Sequence, residues 1–468
     1  MKKQNIYRAY CAAFIGICII PAVCMPFFRS DSSREKRDIS AFPSVKTEDG
    51  EINFEFFDEF DTWFSEHFAF RQELVNADGR IKSTLMGTSP NSDVISGKDG
   101  WLYYGETTDD FLNINTLNER EVSNISHNLR MINDYCKKNN AEFIFFSAPN
   151  KNSIYPENMP FNYIPVDKNG NYELLSAELS DDSFYLDMKS VLLDMKYILL
   201  EKEQNVSLYH KTDTHWNNFG AYVGHTAIMG KIGSEPCSAG TGWYTRNDRL
   251  GDLAEMIYPA EKAKDTQIYN DYQFAYTYQG RLRGLDDITI NTLNENSEGS
   301  LLMFRDSYGE AILPYMAECF GTAEFSRAVP YRLDNIDGKT VILEIVERNL
   351  GDLQKYAPVM NAPVADISGI SSEFSDDEII IKTEETGEFI HIYGVLPDEA
   401  FSGESHSIYI ESNGIVYEAF NCFEDKLLKY EGERSANGFS LYISDKNIID
   451  NIRVTVVNSD GKAVTYKD

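Results

Sequence analysis

The sequence predicts an α/β protein in which a mostly parallel sheet flanked by helices is followed by an all-β sandwich. From about residue 92 onwards, apolar runs alternate with helical patterns, which is typical of strands joined by crossover helices. After about residue 370 the runs become short and rich in β-forming residues, with tight-turn signals at Asn413-Gly414 and Asp460-Gly461. An uncharged stretch near the amino terminus predicts a transmembrane helix ahead of both parts.

The composition indicates a folded chain, and the net charge argues against a nucleic-acid partner. The 468 residues are 42% hydrophobic and 25% charged, which fits a globular protein of several domains rather than a disordered chain. Lysine and arginine number 43 against 74 aspartate and glutamate residues, so the formal net charge is -31. Because a phosphate backbone is bound by clustered cations, we expect no nucleic-acid partner.

Residues 1–28 predict a membrane anchor or an export signal. Basic residues precede an uncharged stretch, 9–28, which as a helix would be about 30 Å long, the thickness of the hydrocarbon layer. Cations on this side predict a cytoplasmic amino terminus with the remainder outside the cell. An uncleaved single-pass anchor is favoured, whereas cleavage after Cys24 would give a secreted chain. Pro21 and Pro26 disfavour the alternative of a buried soluble helix.

The composition changes along the chain and divides it into four predicted parts. The anchor or signal, 1–28, is followed by a polar juxtamembrane linker, 29–50. The α/β domain that carries the candidate site is predicted over 51–368. A β-sandwich accessory domain is predicted over 372–468.

Apolar periodicity predicts the individual helices and strands. Apolar side chains recur at spacings of three and four between Val122 and Cys136, which predicts a helix that ends at Asn139. A second helix face lies between Met188 and Leu199. Continuous apolar runs predict strands covered on both faces at 143–146, 184–186, 206–209, 301–304 and 341–346. The sandwich strands are predicted at 379–383, 389–395, 407–411, 415–420, 439–443, 452–457 and 463–466.

Four cysteines lie outside the amino-terminal stretch, far apart in sequence. They are Cys136, Cys237, Cys319 and Cys422. No C-x-x-C pair occurs among them, so the spacing indicates neither a zinc knuckle nor a redox motif. One disulfide is compatible with the sequence, but a disulfide scaffold is not.

Polar residues that follow two of the predicted strands form a candidate site. Ligands of open parallel sheets bind beyond the carboxyl ends of the strands. If 212–216 is extended, its period of two places Asp213 and His215 on one face, where the carboxylate orients the imidazole. Ser307 follows a later strand at a strand-to-helix turn, where backbone N–H groups and the helix dipole favour an oxyanion. Together these residues supply a nucleophile, a base and an orienting acid.

Each part of this site also has a plainer interpretation. Asp306 and Ser307 precede a predicted helix, where such residues usually serve as caps. A zinc site is the other alternative, with the ligands His210, Asp213, His215 and His225. His225 lies inside an apolar helical run, however, and is expected to be packed in the core.

Five short blocks, in chain order, carry a resemblance to a known family. They are Val94-Ile95-Ser96-Gly97-Lys98-Asp99-Gly100-Trp101-Leu102-Tyr103-Tyr104, Ala148-Pro149-Asn150-Lys151, Asp213-Thr214-His215-Trp216-Asn217, Gly251-Asp252-Leu253-Ala254, and Phe304-Arg305-Asp306-Ser307-Tyr308-Gly309. Over about residues 50–350 the chain resembles the DHHW and alginate O-acetyltransferase (AlgX/AlgJ-like) branch of SGNH-hydrolase-like proteins.

The resemblance implies an exported or membrane-anchored enzyme that acetylates a cell-surface polysaccharide. By this resemblance Ser307 is the nucleophile, His215 the base and Asp213 the orienting acid. Asn150 is expected to supply an oxyanion donor. The residues expected to contact the substrate are Asn150, Lys151, Arg305, Tyr308 and Trp216. The alternatives are a carbohydrate esterase with the same triad and a non-catalytic protein that binds glycans or assists their assembly.

The expected location limits the source of the acyl group. Acetyl-CoA is absent outside the membrane, so the group must come from a partner or from another ester. The resemblance suggests a membrane-bound O-acyltransferase as that donor and surface polysaccharide as the acceptor. Two successive transfers through an acyl-enzyme on Ser307 follow from this, with no metal and no other cofactor. The β-sandwich is expected to bind carbohydrate.

Overall fold

The structure is a computed structural model that describes most of the chain. The described residues are 2–28, 40–46, 52–81, 91–204, 206–237, 240, 242–258, 264–423, 437–444 and 452–467.

Eleven α-helices occur within these residues. They are α1 (Lys2–Cys24), α2 (Phe56–His67), α3 (Arg71–Ile81), α4 (Thr108–Leu112), α5 (Glu119–Lys138), α6 (Lys151–Ile154), α7 (Asn171–Leu179), α8 (Met188–Glu201), α9 (Asn218–Ile232), α10 (Asp252–Ile257) and α11 (Gly309–Cys319).

The strands of the described residues form two large sheets and two small hairpin-like pairs. They are β1 (Val94–Ser96), β2 (Leu102–Tyr104), β3 (Glu142–Ala148), β4 (Trp243–Leu250), β5 (Lys264–Asn270), β6 (Thr277–Gln279), β7 (Thr289–Leu293), β8 (Ser300–Phe304), β9 (Thr322–Ser326), β10 (Thr340–Val346), β11 (Glu373–Phe374), β12 (Ile380–Thr386), β13 (Phe389–Val395), β14 (His406–Ser412), β15 (Ile415–Cys422), β16 (Gly438–Ile443), β17 (Arg453–Asn458) and β18 (Ala463–Lys467).

A six-stranded sheet forms the centre of the α/β part, in the order β3-β10-β8-β9-β7-β6. Strands β3, β10, β8 and β9 are parallel neighbours, whereas β7 and β6 extend the sheet in antiparallel pairing. The prediction of a mostly parallel sheet is confirmed, as are the predicted strands 143–146, 301–304 and 341–346. The carboxyl ends of β3, β8 and β10 therefore meet at one edge of the sheet.

Two predicted strands of the α/β part, 184–186 and 206–209, are wrong. The first makes a single bridge between Tyr185 and Phe145, and the second makes a single bridge between Tyr209 and Trp216. The backbone around Leu208 is engaged elsewhere, because its N–H donates to the Tyr155 hydroxyl (2.8 Å) and its carbonyl accepts from the Asn217 N–H (2.9 Å). Phe184, Tyr185, Leu208 and Tyr209 are buried in the core, whereas Val206 is exposed. Segment 184–186 touches the central sheet at this one bridge to β3, and neither segment forms a strand.

Helices cover both faces of the sheet because its strands are apolar on both sides. Along β10, Val341 and Leu343 lie in one core cluster with α5 and α7, whereas Ile342 and Val346 lie in the other with α8, α9 and α11. Burial of one such side chain contributes about 1.5–3 kcal/mol to the stability of the folded state. Since a shift of one residue would exchange the two faces, this alternation fixes the register of β10 and the point where the chain leaves the sheet.

Helix α5 confirms the helix predicted from apolar spacing. It begins with a capping box in which the Asn118 side chain accepts from the Glu121 N–H (3.0 Å) and the Glu121 carboxylate accepts from the Asn118 N–H (2.8 Å). It ends at the predicted residue, Asn139. Its buried face packs against β3 and so supports the central sheet.

The carboxy-terminal residues form an eight-stranded sheet in the order β11-β18-β17-β14-β15-β16-β13-β12. The all-β character is confirmed, and each of the seven predicted strands corresponds to an observed one. The arrangement differs from a sandwich of two separate sheets, because the hydrogen-bonded ladder is continuous. Strand β15 pairs with β14 over Ile415–Ala419 and with β16 over Phe420–Cys422, so it joins the two halves. The halves share one apolar core.

The carboxy-terminal sheet contacts helix α5 of the α/β part. Asn128 and Asn421 exchange two hydrogen bonds, of 2.8 Å and 3.0 Å, between side chain and backbone. His127 lies 2.9 Å from Glu418. Phe420 and Tyr442 of the sheet belong to the same apolar cluster as the buried face of α5.

Helix α1 forms where the sequence predicts a membrane anchor. The part of this helix without charged residues runs from Ala9 to Cys24, which corresponds to about 24 Å and is less than the hydrocarbon thickness. No helix among the described residues is both long enough and apolar enough to span a bilayer. The predicted transmembrane helix is therefore not supported. The predicted linker, 29–50, lies largely outside the described residues.

Candidate active site

Ser307 lies in the short loop between β8 and α11. The Asp306 carboxylate fixes this loop, because it accepts hydrogen bonds from the N–H groups of Tyr308 (2.8 Å) and Val346 (2.8 Å). Val346 is the last residue of β10, which neighbours β8 in the sheet. Helix α11 has no side-chain cap at its N-cap residue, Tyr308, so the interpretation of Ser307 as a helix cap is not supported.

Ser307, His215 and Asp213 form a chain of hydrogen bonds. The Ser307 hydroxyl lies 2.9 Å from Nε2 of His215, and Nδ1 of the same ring lies 2.7 Å from Oδ1 of Asp213. A carboxylate at Nδ1 selects the tautomer with the proton on Nδ1, which leaves the Nε2 lone pair facing the hydroxyl. The segment 212–216 is bent rather than extended as predicted. Asp213 reaches His215 across this bend, and its Oδ1 also accepts from the His215 N–H (3.1 Å).

Asp213 is held in its ionised form although its side chain is fully buried. Burial by itself raises the pKa of a carboxyl group. The hydrogen bond from His215 and the nearby positive charge of Arg249 outweigh burial and hold the pKa of Asp213 well below its usual range. The Arg249 guanidinium lies 2.7 Å from Oδ2 of Asp213, the oxygen that His215 does not use. The carboxylate can therefore stabilise a positively charged imidazole during a reaction.

Lys151 holds the backbone of the loop that carries Asp213. Its ammonium donates hydrogen bonds to the carbonyls of His210 (3.1 Å), Lys211 (3.0 Å) and Asp213 (2.6 Å). Burial lowers the pKa of Lys151 to about 8, against the opposing effect of nearby carboxylates. The side chain is 3% exposed. The contacts of Lys151 are therefore those of a positioning residue, and the predicted contact with substrate remains a prediction.

Lys151→Met is expected to destabilise the protein and slow catalysis. It leaves three carbonyls without their donor, so we expect the free energy of unfolding to fall by about 2–4 kcal/mol. We expect release of acetate from an activated ester to fall roughly a hundredfold, because the loop is no longer fixed. Denaturant titration and steady-state kinetics measure the two effects. Lys211→Met is the matched control, since that side chain is exposed and makes a single long contact, 3.5 Å, with the Asp99 carbonyl. Equal losses of stability and rate in the two variants would contradict the positioning role of Lys151.

Asp252 supports the same loop from helix α10. Its carboxylate accepts from the Thr214 N–H (2.8 Å) and from the Thr214 hydroxyl (2.6 Å), and it lies 3.7 Å from Nδ1 of His215. A Cβ atom at Gly251 would lie 2.3 Å from the Thr212 carbonyl oxygen, so only glycine permits this close approach. The sequence analysis assigned no role to Asp252, although it lies in one of the five blocks.

Comparison with known families adds to this geometry. Residues 94–290 match the family model described as the SGNH hydrolase-like domain of the acetyltransferase AlgX. Residues 94–290 of the chain are thus similar to that domain. This confirms the resemblance predicted from the sequence. Asp213, His215 and Asp252 lie within the matched residues, and Ser307 follows them.

Solved structures similar to the chain have low sequence identity to it. PatB1 of Bacillus cereus, in a structure with a sulfonyl adduct, is 19% identical with a TM-score of 0.43 and covers 55% of this chain and 95% of its own. A DHHW family protein from Eubacterium siraeum is 16% identical with a TM-score of 0.40 and covers 55% and 94%. The O-acetyltransferase domain of Pseudomonas putida AlgJ is 16% identical with a TM-score of 0.37 and covers 59% and 95%. No curated protein matches the sequence of the chain.

The other residues predicted to contact substrate are buried in the α/β part of the chain. Trp216 donates from its indole to the Tyr308 carbonyl (2.9 Å), and the Tyr308 hydroxyl donates to the Thr214 carbonyl (2.8 Å). Arg305 donates to the backbone carbonyls of Asp306 and Leu285. These contacts hold the loops of the triad together. Their direct contact with substrate remains a prediction.

Both hydrogen-bond donor groups of Asn150 are used by neighbouring carboxylates. Its side-chain amide donates to Asp110 (3.1 Å) and its backbone N–H donates to Glu347 (2.7 Å). The residue is fully buried. Asn150 anchors the end of β3, and its role as an oxyanion donor stays a prediction.

Arg348 is a residue beside the triad that the sequence analysis missed. Its guanidinium carbon lies 5.9 Å from the centroid of the Tyr308 ring and 5.5 Å from that of Tyr104. The His215 ring also lies against Tyr308, with the two ring centroids 4.8 Å apart. Nη1 of Arg348 is buried and has no hydrogen-bond partner within the described part of the chain. Arg348 comes shortly after β10, at the same edge of the sheet as Ser307. This position after a strand is the one sequence signal that could have identified the residue.

The zinc ligands considered in the sequence analysis do not come together. Asp213 and His215 are adjacent, but Nδ1 of His210 contacts the Thr266 carbonyl at 3.1 Å. His225 lies with Cys237 and Cys319 instead. The four-ligand zinc interpretation is therefore wrong, because the helix α9 carries His225 away from the triad loop.

Proposed function

We propose that the protein is an O-acetyltransferase that moves an acetyl group to a hydroxyl of a cell-surface polysaccharide through an acyl-enzyme on Ser307. The observation that carries this proposal is the hydrogen-bonded chain from Ser307 through His215 to Asp213, in a protein whose residues 94–290 match an acetyltransferase family model. The chain provides a nucleophile, a base and a buried anion in the order that acyl transfer requires.

In the first half of the reaction the acetyl group moves to the enzyme. Oγ of Ser307 attacks the carbonyl carbon of the donor ester while Nε2 of His215 takes the hydroxyl proton. The tetrahedral intermediate then expels the donor alcohol, which receives that proton from His215, and the acetyl group remains on Ser307 as an ester. The Asp213 carboxylate stabilises the imidazolium that exists between these two proton transfers.

The negatively charged oxygen of the tetrahedral intermediate must be stabilised by hydrogen-bond donors. The N–H of Ser307 donates no hydrogen bond within the described residues, and it lies at the amino-terminal end of α11, where the helix dipole favours negative charge. Arg348, packed on the Tyr308 ring, adds positive charge beside the same loop. These groups serve as the oxyanion donors in the proposed mechanism.

In the second half of the reaction an acceptor hydroxyl attacks the acetyl-serine. His215 takes the proton of the acceptor and returns it to Oγ of Ser307, so the enzyme is restored. The His215 side chain is 17% exposed and Ser307 is partly exposed, so the reacting atoms can be reached from solvent. This exposure also admits water, which is the observation that favours an esterase as the second candidate.

The proposed reaction takes place outside the cytoplasm. The acyl donor is then a protein-bound or small-molecule ester, and a membrane-bound O-acyltransferase is the proposed source. The acceptor is a surface polysaccharide, and no cofactor takes part. The basic residues ahead of the amino-terminal uncharged stretch support this location.

Transfer and hydrolysis are separated by competition between acceptors. The full chain is incubated with an activated acetyl ester and increasing concentrations of an oligosaccharide, and both acetylated sugar and free acetate are quantified. We expect acetylated sugar to rise and free acetate to fall in proportion, because both consume one acyl-enzyme. Acetate release that no oligosaccharide in the panel alters would identify an esterase, and the absence of both products would indicate a non-catalytic protein.

A further inference from the structure

A second cluster of reactive side chains lies away from the triad, and the proposed mechanism does not use it. His225 lies on α9, Cys319 is the last residue of α11, and Cys237 lies in the segment after α9. One ligand atom from each residue lies within 4.8 Å of the other two. Residues separated by more than ninety positions are therefore gathered at one point of the fold.

The separation of these atoms fits a tetrahedral metal site. Sγ of Cys319 lies 3.8 Å from Nε2 of His225. In a tetrahedral zinc site with a sulfur ligand at ~2.3 Å and a nitrogen ligand at ~2.1 Å, the two ligand atoms are separated by about 3.6 Å. An ion can thus be bound by small rotations of these side chains.

The His225 ring is oriented so that Nε2 carries the lone pair. The Cys237 N–H donates to Nε2 (3.1 Å), which places the ring proton on Nδ1, facing the Met316 sulfur at 3.3 Å. The ring is fully buried and is stacked on Tyr315, with centroids 5.7 Å apart. Metal-binding histidines are commonly oriented in this way, by contacts at the nitrogen that does not bind the metal.

The cluster can be reached from outside. Cys237 and Cys319 are partly exposed, and both line an open cavity of about 520 Å³. Glu318 also lines this cavity, but its carboxylate is occupied by the Tyr272 hydroxyl (2.8 Å) and the Ala275 N–H (2.8 Å). Solvent in the cavity is therefore the available fourth ligand.

We propose that His225, Cys237 and Cys319 form a binding site for a divalent zinc-like cation, with water as the fourth ligand. Two thiols release their protons to solvent on binding, so the dication and two thiolates form a neutral centre. The ion replaces the hydrogen bond from Cys237 to His225. It connects the carboxyl end of α11 with α9, and these two helices begin two residues after Ser307 and three residues after His215.

Cobalt(II) is the probe for this site. The full chain is purified under reducing conditions, stripped with a chelator and titrated with cobalt(II) while its absorption spectrum is recorded. We expect one equivalent to produce thiolate-to-cobalt charge-transfer absorption and the strong visible bands of tetrahedral coordination. Added zinc should abolish these bands by displacing the cobalt.

Variants identify the ligands. Cys319→Ser and Cys237→Ser each remove one sulfur with little change in volume, and each is expected to abolish the charge-transfer absorption. Cys11→Ser is the matched control, since it removes an exposed thiol from helix α1 and should leave the spectrum unchanged. Circular dichroism verifies that the variants fold. The proposal is overturned if folded, reduced wild-type protein binds no cobalt, or if the cysteine variants bind it as wild type does.

Discussion

Ser307→Ala is expected to reduce acetyl release from an activated ester by roughly ten-thousand-fold or more. The substitution removes the atom that would carry the acetyl group, while the Asp306 contacts that shape the loop use other atoms. The fold should therefore be retained. Initial rates with the ester measure the effect, and intact-protein mass spectrometry after a short reaction should detect an acetylated wild-type protein and an unmodified variant.

Ser300→Ala is the matched control for this variant. Ser300 begins β8, the same strand that leads to Ser307, and its hydroxyl is exposed and contacts Thr322 at 2.8 Å. It makes the same chemical change at the opposite end of the strand and should leave the rate unchanged. Full activity of Ser307→Ala would remove the acyl-enzyme from the proposed function.

Asp213→Asn is expected to reduce kcat by roughly ten-thousand-fold. An asparagine can donate to Nδ1 of His215, which would place the ring proton on Nε2 and so remove the base that faces Ser307. The neutral amide also cannot stabilise the imidazolium. The same ester assay measures this effect, and the KM for the ester should change much less than kcat, because Asp213 is fully buried and does not reach the substrate.

The same substitution should alter how stability depends on pH. The pKa of Asp213 is held well below its usual value in the folded protein, so its charge stabilises the fold at pH values above the unfolded-state pKa of about 3.9. The contribution is lost as the pH falls through the lower folded-state pKa. The difference in unfolding free energy between wild type and Asp213→Asn should thus be constant from about pH 6 to 8 and shrink in acid. Denaturant titrations of both proteins from acid pH to pH 8 measure this difference in unfolding free energy.

Asp252→Asn tests which carboxylate orients the base. Asp252 is 3.7 Å from Nδ1 of His215, against 2.7 Å for Asp213, and it contacts Thr214 more closely. We expect a much smaller loss of kcat than for Asp213→Asn. A larger loss for Asp252→Asn would reverse the assignment of the orienting acid.

The fold could be predicted where residues are apolar on both faces of a strand. Strands β3, β8 and β10 have such runs, because helices cover both sides of the sheet. Strand β7, Thr-Ile-Asn-Thr-Leu, alternates buried and exposed residues at the antiparallel side and has no continuous run, so it was missed. The segments 184–186 and 206–209 have apolar runs for another reason, since most of their side chains fill the core while each backbone makes only a single bridge.

The candidate triad could be predicted because its members follow strand ends or lie close in sequence. Ser307 comes directly after β8, and Asp213 and His215 are separated by two positions. The supporting residues have no such pattern. Arg249 reaches Asp213 from β4, and Lys151 binds backbone carbonyls that any residue type would present. Such contacts depend on the folded path of the chain and leave no local signature.

The junction between helix α5 and the carboxy-terminal sheet bears on how the molecule can be divided. Phe420 and Tyr442 fill the same apolar cluster as Ile125 and Leu129 of α5, and the opposite side of that cluster is the central sheet. A chain shortened near residue 370 would leave this surface facing water. The carboxy-terminal fifth of the chain is thus an integral part of the α/β core rather than an appended module, and a ligand that binds to it would act on the same helix that supports the central sheet.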